Sequence, residues 1–466
     1  MVLVMKFGGT SVGSGRAIQR TAELIAHSRP QWPQVVVVAS AMSKVTDTLL
    51  QGATTAANGD PATYKELAQT LRERHYAAIL ELLAEGAERR QLTAEMEGFV
   101  DRFQTLCAAV LVLGEVTPRA LDAITSMGEQ MSVRILAAAL RLMGQPAQAV
   151  DARELIITDD NFQAAAPLPE QTAVQCRARL RPLLEQGLIP VVTGFMAATQ
   201  QGLTTTLGRG GSDYSAAILG QAIQAQEVWI WTDVDGVMTA DPRLAADART
   251  LPTLTYREVA ELAYYGAKVL HPKTIRPVVE NNIPLRIKNT FNPDHPGTLI
   301  VPDGGNGVGE LKAVTAIEQL SLITVEGKGM MGVPGIAART FGAVARAQVS
   351  VLLISQASSE QSICFIVPDE TTGRVVASLE AEFAVELHRQ DIDRIWAQRP
   401  VSIVTVVGAG MRGTPGIAGR IFGALGQGQV NVIAIAQGSS ECSVSMVVDG
   451  KDTVTAVRQI HGLIVM

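Results

Sequence analysis

Three clusters in this sequence combine charged side chains with glycines in patterns able to handle phosphate and carboxylate groups. The first, Lys6-Phe-Gly-Gly-Thr-Ser-Val-Gly13, follows an apolar run at once, so a cation and two residues without Cβ atoms fall at the end of a strand. Backbone N–H groups at Gly8 and Gly9 can then approach a phosphate closely, although a solvated lysine before a plain loop would look the same. The second, Thr206-Leu-Gly-Arg-Gly-Gly-Ser-Asp213, runs into Tyr214-Ser-Ala-Ala-Ile-Leu219 and reads as a helix start with Ser212 or Asp213 near the cap. Free N–H groups there suit an anion, and Arg209 among glycines has room to clamp a carboxylate with both arms of its fork. The third is Trp231-Thr-Asp-Val-Asp-Gly-Val-Met-Thr-Ala-Asp-Pro-Arg243. Its Asp233, Asp235 and Asp241 lack the alternation and closing glutamate of a calcium loop, so contact with a nucleotide or magnesium is expected rather than a metal cage. No Gly-x-x-x-x-Gly-Lys-Ser/Thr string occurs, so ATP would need a site other than a P-loop.

These clusters sit between short apolar runs at Val2 to Phe7, Val35 to Ala39, Ile189 to Phe195, Val228 to Thr232 and Leu285 to Ile287. Runs rich in Val and Ile with helical stretches between them predict buried parallel strands of an open α/β sheet with helices on both faces. Residues 62–113, dense in Ala, Leu, Glu and Arg, read as a helical insertion. The first 300 residues are therefore expected to form one α/β domain, and the turn formers of 301–312 a linker.

Beyond the linker the chain repeats itself. Val325-Glu-Gly-Lys-Gly-Met-Met-Gly-Val-Pro-Gly-Ile336 matches Val406-Val-Gly-Ala-Gly-Met-Arg-Gly-Thr-Pro-Gly-Ile417, and Ser355-Gln-Ala-Ser-Ser-Glu360 matches Ala436-Gln-Gly-Ser-Ser-Glu441, both pairs at an offset of 81 residues. Two βαββα modules are predicted, 313–398 and 399–466, pairing with each other because one alone leaves an exposed sheet edge. Their Gly-x-Gly-x-x-Gly loops lack the acidic residue of a dinucleotide site, where the chain has Gln356 and Gln437 instead, so they read as tight turns opening a helix.

Bulk properties narrow the field. A net charge of -6 with 4% aromatic residues argues against a nucleic-acid groove. The four cysteines lie far apart, no apolar run nears the roughly 20 residues of a membrane span, and no leader pattern precedes Lys6, which together point to a cytoplasmic protein with reduced thiols and no membrane partner.

Lys6-Phe-Gly-Gly-Thr-Ser, Ser40-Ala-Met-Ser-Lys-Val-Thr46, Gly128-Glu129, Thr206-Leu-Gly-Arg-Gly-Gly-Ser-Asp213, Trp231-Thr-Asp233 and Gly266-Ala-Lys-Val-Leu-His-Pro272 together resemble the aspartokinase family in content and order. The repeated modules resemble that family's paired ACT domains, and their Gln-Ala-Ser-Ser-Glu and Gln-Gly-Ser-Ser-Glu strings look most like the kinase half of bifunctional aspartokinase/homoserine dehydrogenases. The resemblance implies an amino-acid-kinase fold that phosphorylates the β-carboxylate of L-aspartate with ATP and Mg2+. It gives Lys6 and Asp213 the catalytic roles, and Ser40, Thr46, Glu129 and Arg209 the aspartate. Lys6, Gly8, Gly9, Thr232, Asp233, Arg243 and Lys268 take the nucleotide, with no resident metal site. Gln356 and Gln437 take an inhibitory amino acid, threonine ahead of lysine, in a homo-oligomer formed through the modules. Where the family often has an aromatic residue, Met238 stands here. The chain stops where a dehydrogenase domain would begin, so it is expected to be a stand-alone kinase or a truncated bifunctional enzyme, without dehydrogenase activity. A glutamate or acetylglutamate kinase would lack the tandem modules, and a non-catalytic amino-acid-binding regulator would be expected to have lost Lys6, Arg209 or Asp213.

Overall fold

In a computed structural model the protein is described over residues 1–266, 270, 272–302, 310–356, 361–438 and 441–465. The Val- and Ile-rich runs become strands because β-branched side chains pack well on a pleated surface. In chain order the strands of the first unit are β1 (Val2–Phe7), β2 (Gln34–Ala39), β3 (Ala147–Val150), β4 (Ile157–Thr158), β5 (Ile189–Thr193), β6 (Met196–Thr199), β7 (Thr204–Thr206), β8 (Glu227–Thr232), β9 (Thr253–Thr255), β10 (Leu285–Asn289) and β11 (Thr298–Val301). Eight of them form one sheet in the order β3-β5-β2-β1-β8-β10-β11-β9, while β4, β6 and β7 make a small separate sheet. Neighbours in the large sheet run parallel except β10 with β11. Leu3, Val4, Met5, Phe7 and all of Val35 to Ala39 are fully buried, as the central strands of a sheet covered on both faces must be.

β1 has β2 on one side and β8 on the other, so the chain leaves it in opposite directions and a crevice opens at the carboxyl ends of these strands. Helices Thr63–Leu82 and Ala87–Leu113 fill the stretch read as a helical insertion, and their Leu71, Ile79, Met96 and Phe103 extend the same hydrophobic core.

The chain divides into two compact units, and the division does not fall at one point. The first holds Met1–Val237, Pro252–Tyr256 and Val269–Gly304; the second holds Met238–Leu251, Arg257–Lys268 and Gly305–Met466. Two short pieces that a boundary at residue 300 assigns to the first domain therefore fold with the second. Ala240 and Ala245 are buried among Val404, Ile421, Leu425 and Ile460, and the buried Glu258 lies 3.2 Å from Lys312 Nζ while accepting from the Ala409 N–H. Of the expected linker, Val301 ends β11, Leu311 and Lys312 are buried, and 303–309 lie outside the described residues.

The second unit contains β12 (Ala313–Glu326), β13 (Leu353–Gln356), β14 (Ser362–Pro368), β15 (Arg394–Val407), β16 (Val432–Gln437) and β17 (Ser443–Asp449) in one antiparallel sheet, ordered β13-β14-β12-β15-β17-β16. The two copies join through β12 and β15, each 14 residues long. Each copy places its own helices on its own core: Ile336–Arg346 and Thr372–Glu382 in the first, Ile417–Gln427 and Thr453–Val465 in the second. The Gly-x-Gly-x-x-Gly loops are tight turns. A Cβ on Gly327 would come within 2.4 Å of Asp391 O, and one on Gly408 within 2.4 Å of Glu310 O, so backbone fills the space a cofactor would need.

Candidate active site

Most of the expected cleft side chains are delivered by the end of a strand or the first turn of a helix, and Arg209 by a glycine-flanked loop. Lys6 is the penultimate residue of β1, and Ser40 follows β2, its N–H bonded to Phe7 O. Thr46 lies in the first turn of helix Val45–Ala57 and Glu129 in that of Met127–Leu142. Arg209 stands between Gly208 and Gly210, whose φ angles of 76° and 72° lie in the left-handed region that glycine enters without strain. Helix Gly211–Ala222 then starts with no side-chain cap, and Asp213 is in its first turn. Ser212 and Asp213 are thus in the first turn, close to the Gly210 cap.

Lys6, Ser40, Thr46, Glu129, Arg209 and Asp213 line one cleft of ≈ 540 Å3 with Asp122 and Phe195 among their neighbours. Lys6 Nζ is 2.6 Å from Asp213 Oδ1, with the two side chains only 11% and 18% exposed. That oxygen has no aligned hydrogen-bond donor among the described residues, so charge attraction rather than bond geometry holds the pair. Arg209 is exposed and forms no ion pair among the described residues, which leaves its fork open to a ligand.

The two buried carboxylates of the cleft differ in their environments. Glu129 Oε1 accepts from the Ala41 N–H at 3.0 Å, while Oε2 is buried without a donor among the described residues. Burial pushes this carboxyl up to about 8, against the pull of the Ala41 N–H, so it is largely neutral at pH 7 until a cation arrives. A Cβ on Gly128 would stand 2.7 Å from Ala41 Cβ, so this glycine lets the Glu129 helix close on the Ser40 to Thr46 loop. Asp122, which the sequence did not single out, accepts from three donors: the N–H groups of Gln163 and Thr206 on Oδ2, at 2.9 and 3.0 Å, and the Thr206 hydroxyl on Oδ1 at 2.7 Å. Burial raises its pKa and these donors pull it back. It ties the Gln163 loop and β7 to helix Pro118–Thr125 just before Gly208 and Arg209.

The remaining expected residues lie elsewhere. Gly8 and Gly9 follow β1 but do not line the cleft; a Cβ on Gly9 would come within 3.0 Å of Ala41 O, so it serves close packing. Thr232 ends β8, with its hydroxyl 3.2 Å from the exposed Asp233 carboxylate. Asp235 accepts from Asn289 and Asn292, and Arg243, in the second unit, grips Asp241 at 2.6 Å. Lys268 lies outside the described residues. Gln356 and Gln437 are the exposed last residues of β13 and β16, the two edge strands of the antiparallel sheet. Among the described residues no group of three or more His, Cys, Asp or Glu could hold a metal, and no helix is long and apolar enough to cross a membrane. None of the four cysteines is in a disulfide.

Comparison with known proteins agrees with this architecture. The amino acid kinase family model matches residues 1–289, and an ACT domain model matches 323–383 and 404–463. Bifunctional aspartokinase/homoserine dehydrogenase 1 of Zea mays is 37% identical over 464 residues, 98% of this chain and 50% of that protein. Aspartokinase 3 of Arabidopsis thaliana is 34% identical, over 99% of this chain and 81% of that one. Aspartokinase III of E. coli covers all of both chains, with a TM-score of 0.81 and 30% identity in its complex with lysine and aspartate, and 0.80 and 29% in its complex with aspartate and ADP. The sheet order, the cleft and the paired modules define an amino-acid-kinase domain joined to two ACT domains. The chain belongs to the aspartokinase family, and it spans about half the length of the bifunctional relatives it matches.

The Glu129 shift has a consequence for stability. The unfolded chain ionises Glu129 near 4.5 while the folded one holds its proton to about 8, so the folded state binds more protons across that interval. This contribution is present in full below 4.5 and is lost as pH rises through 8. Urea midpoints measured at pH 5 and pH 8.5 are expected to fall further in the parent than in Glu129→Gln; equal falls would remove the shift.

Proposed function

We propose that the chain transfers the γ-phosphoryl group of ATP to the β-carboxylate of L-aspartate, giving 4-phospho-L-aspartate and ADP. The carrying observation is one cleft that presents a free guanidinium, a carboxylate waiting for a cation, and a Lys6–Asp213 pair. Arg209 takes the α-carboxylate and Glu129 the ammonium, so two opposite charges at a fixed separation select an amino acid over a simple carboxylic acid. Ser40 and Thr46 add hydroxyl hydrogen bonds. The binding of aspartate and ADP by the E. coli relative supports the pairing of substrates.

The β-carboxylate is ionised at neutral pH, since its pKa is about 3.9, and needs no general base. One of its oxygens attacks the γ-phosphorus as the bond to the ADP oxygen breaks, and ADP leaves with its electron pair. Such transfer asks the protein for alignment and charge neutralisation. Lys6 meets the charge on the transferring group, and Asp213 orients Lys6. Thr232, Asp233, Arg243 and Lys268 serve the nucleotide, with Gly8 and Gly9 beside its phosphates. Magnesium, held by those phosphates and by one or two carboxylates such as Asp213, would supply further charge neutralisation. A hydroxamate trap for the acyl phosphate tests the reaction: colour with aspartate and ATP is expected, and colour with glutamate but not aspartate would overturn the assignment.

Regulation is proposed to run through Gln356 and Gln437. Each ends an edge strand beside an exposed isoleucine, Ile354 at 51% and Ile435 at 47%, and neither outer edge pairs with a strand among the described residues. Edges of this kind favour pairing with a second copy, and an amide that both donates and accepts suits a small polar amino acid. Threonine is placed ahead of lysine because the Gln-Ala-Ser-Ser-Glu and Gln-Gly-Ser-Ser-Glu strings resemble bifunctional aspartokinase/homoserine dehydrogenases; lysine is what the E. coli relative holds.

Four substitutions test these roles. Asp213→Asn keeps the shape but not the charge beside Lys6, so kcat should drop by at least tenfold in a folded protein, and a near-parental kcat removes Asp213 from the mechanism. Arg209→Ala should cost roughly 2–5 kcal/mol in kcat/KM for aspartate, the penalty for stranding a desolvated carboxylate. An unchanged kcat/KM would move the α-carboxylate elsewhere. Gln356→Ala and Gln437→Ala should retain kcat while the threonine inhibition curve shifts to higher concentration, a loss within the usual coupling of about 1–3 kcal/mol. Undiminished threonine sensitivity in both variants, or a parent that answers only to lysine, sinks the effector assignment and leaves the kinase assignment standing.

A further inference from the structure

Helix Thr63–Leu82 of the helical insertion reaches the chain that follows β1 and the chain that follows β2, all within the first unit. Its Arg74, Ala78 and Glu81 recur at helical spacing and lie along one face. At one end of this face Glu81 Oε2 accepts from the Arg16 N–H at 3.2 Å, in the first turn of helix Gly15–Ser28. A Cβ on Gly15 would stand 2.9 Å from Ala78 O, so glycine lets the two helices meet there. Two turns before Glu81, Arg74 Nη1 donates to the Ser43 carbonyl.

Ser43 belongs to the turn between two hydroxyl residues of the cleft, Ser40 and Thr46. The backbone of this turn is strained. Lys44 stands at the start of helix Val45–Ala57 without a side-chain cap, and its φ of 66° lies in the left-handed region that a residue with a Cβ enters at a cost. Such a conformation persists where its surroundings over-determine it. Here the residue before Lys44 is held from two directions: Ser43 N–H donates to Gly9 O at 3.2 Å, and Ser43 O accepts from Arg74. A Cβ on Gly13 would stand 3.1 Å from Ser43 Oγ, so the glycine loop packs on the same turn. Arg74 is half-buried and forms no ion pair among the described residues, so its guanidinium serves the backbone of the turn rather than a carboxylate.

We propose that Arg74 is a positioning residue for the kinase reaction, fixing the Ser43–Lys44 turn and through it the placement of the Ser40 and Thr46 hydroxyls in the cleft. The inference rests on the aspartate role proposed for those two hydroxyls. Steady-state kinetics with aspartate and ATP varied separately, with folding followed by circular dichroism, tests it. Arg74→Met, which keeps the stem and removes the donors, should raise KM for aspartate about three- to tenfold, the effect of one lost hydrogen bond, while KM for ATP holds. Arg74→Lys still offers one donor to one carbonyl and should recover most of that loss. Glu81→Gln, on the same face but bonded to helix Gly15–Ser28, should leave both KM values parental. If Arg74→Met fails to fold, Arg74→Gln, polar but too short to reach the carbonyl, carries the same expectation. Ser40→Ala and Thr46→Val separate the two layers. An unchanged KM for aspartate in both overturns the hydroxyl role and the positioning role with it. A raised value there with a parental value in the folded Arg74 variant overturns the positioning role alone. Equal rises in both KM values in Arg74→Met, no recovery in Arg74→Lys, or the same loss in Glu81→Gln would also overturn it.

Discussion

Lys6 and Asp213 hold each other at 2.6 Å in a place where neither could stand alone. Removing one partner from a buried ion pair costs about 3–5 kcal/mol, and partial exposure lowers that figure here without abolishing it. The strand order therefore has to bring the end of β1 to the start of helix Gly211–Ala222, and the sequence meets this with a parallel sheet that switches direction at β1. Once the pair is set, the cleft at the carboxyl ends of β1 and β2 gathers a lysine, an uncapped helix start and an exposed arginine, a set suited to an anion.

Two buried carboxylates then divide the work by their surroundings. Asp122 is met by three donors, so it serves as a fixed strut that aligns the Gln163 loop and β7 ahead of Arg209. Glu129 is met by one donor, and its second oxygen is left bare, so its carboxyl is pushed up to about 8. A satisfied buried carboxylate builds structure, whereas an unsatisfied one waits for a cation.

Much of this was legible from residue order. Val and Ile runs marked the strands, and glycines beside Lys6 and around Arg209 marked the loops, because both signals are local. The duplication announced the paired modules, and β12 with β15 joins them as an exposed edge requires. Asp122 left no such mark: its partners stand 41 and 84 residues away, and a lone aspartate in a helical stretch reads as solvent-facing. The division of the chain was hidden for a related reason. Segments as short as Met238–Leu251 hold too few apolar residues to declare a core, and only folding shows Ala240 and Ala245 buried with the second repeat. Arg243 has its nucleotide role from the resemblance alone, and in the structure it pairs with Asp241 of its own loop.

Glu129, pushed up to about 8 by burial, is largely neutral in the empty cleft at pH 7, and the proposed ammonium partner would ionise it. Calorimetric titration of aspartate at pH 7, repeated in buffers of different ionisation enthalpy, counts the protons exchanged on binding. With the carboxyl near 8, release of close to one proton per site is expected, and it should vanish in Glu129→Gln. Binding of aspartate to the parent with no proton release, or with uptake, would contradict the role given to Glu129 and with it the basis for selecting an amino acid.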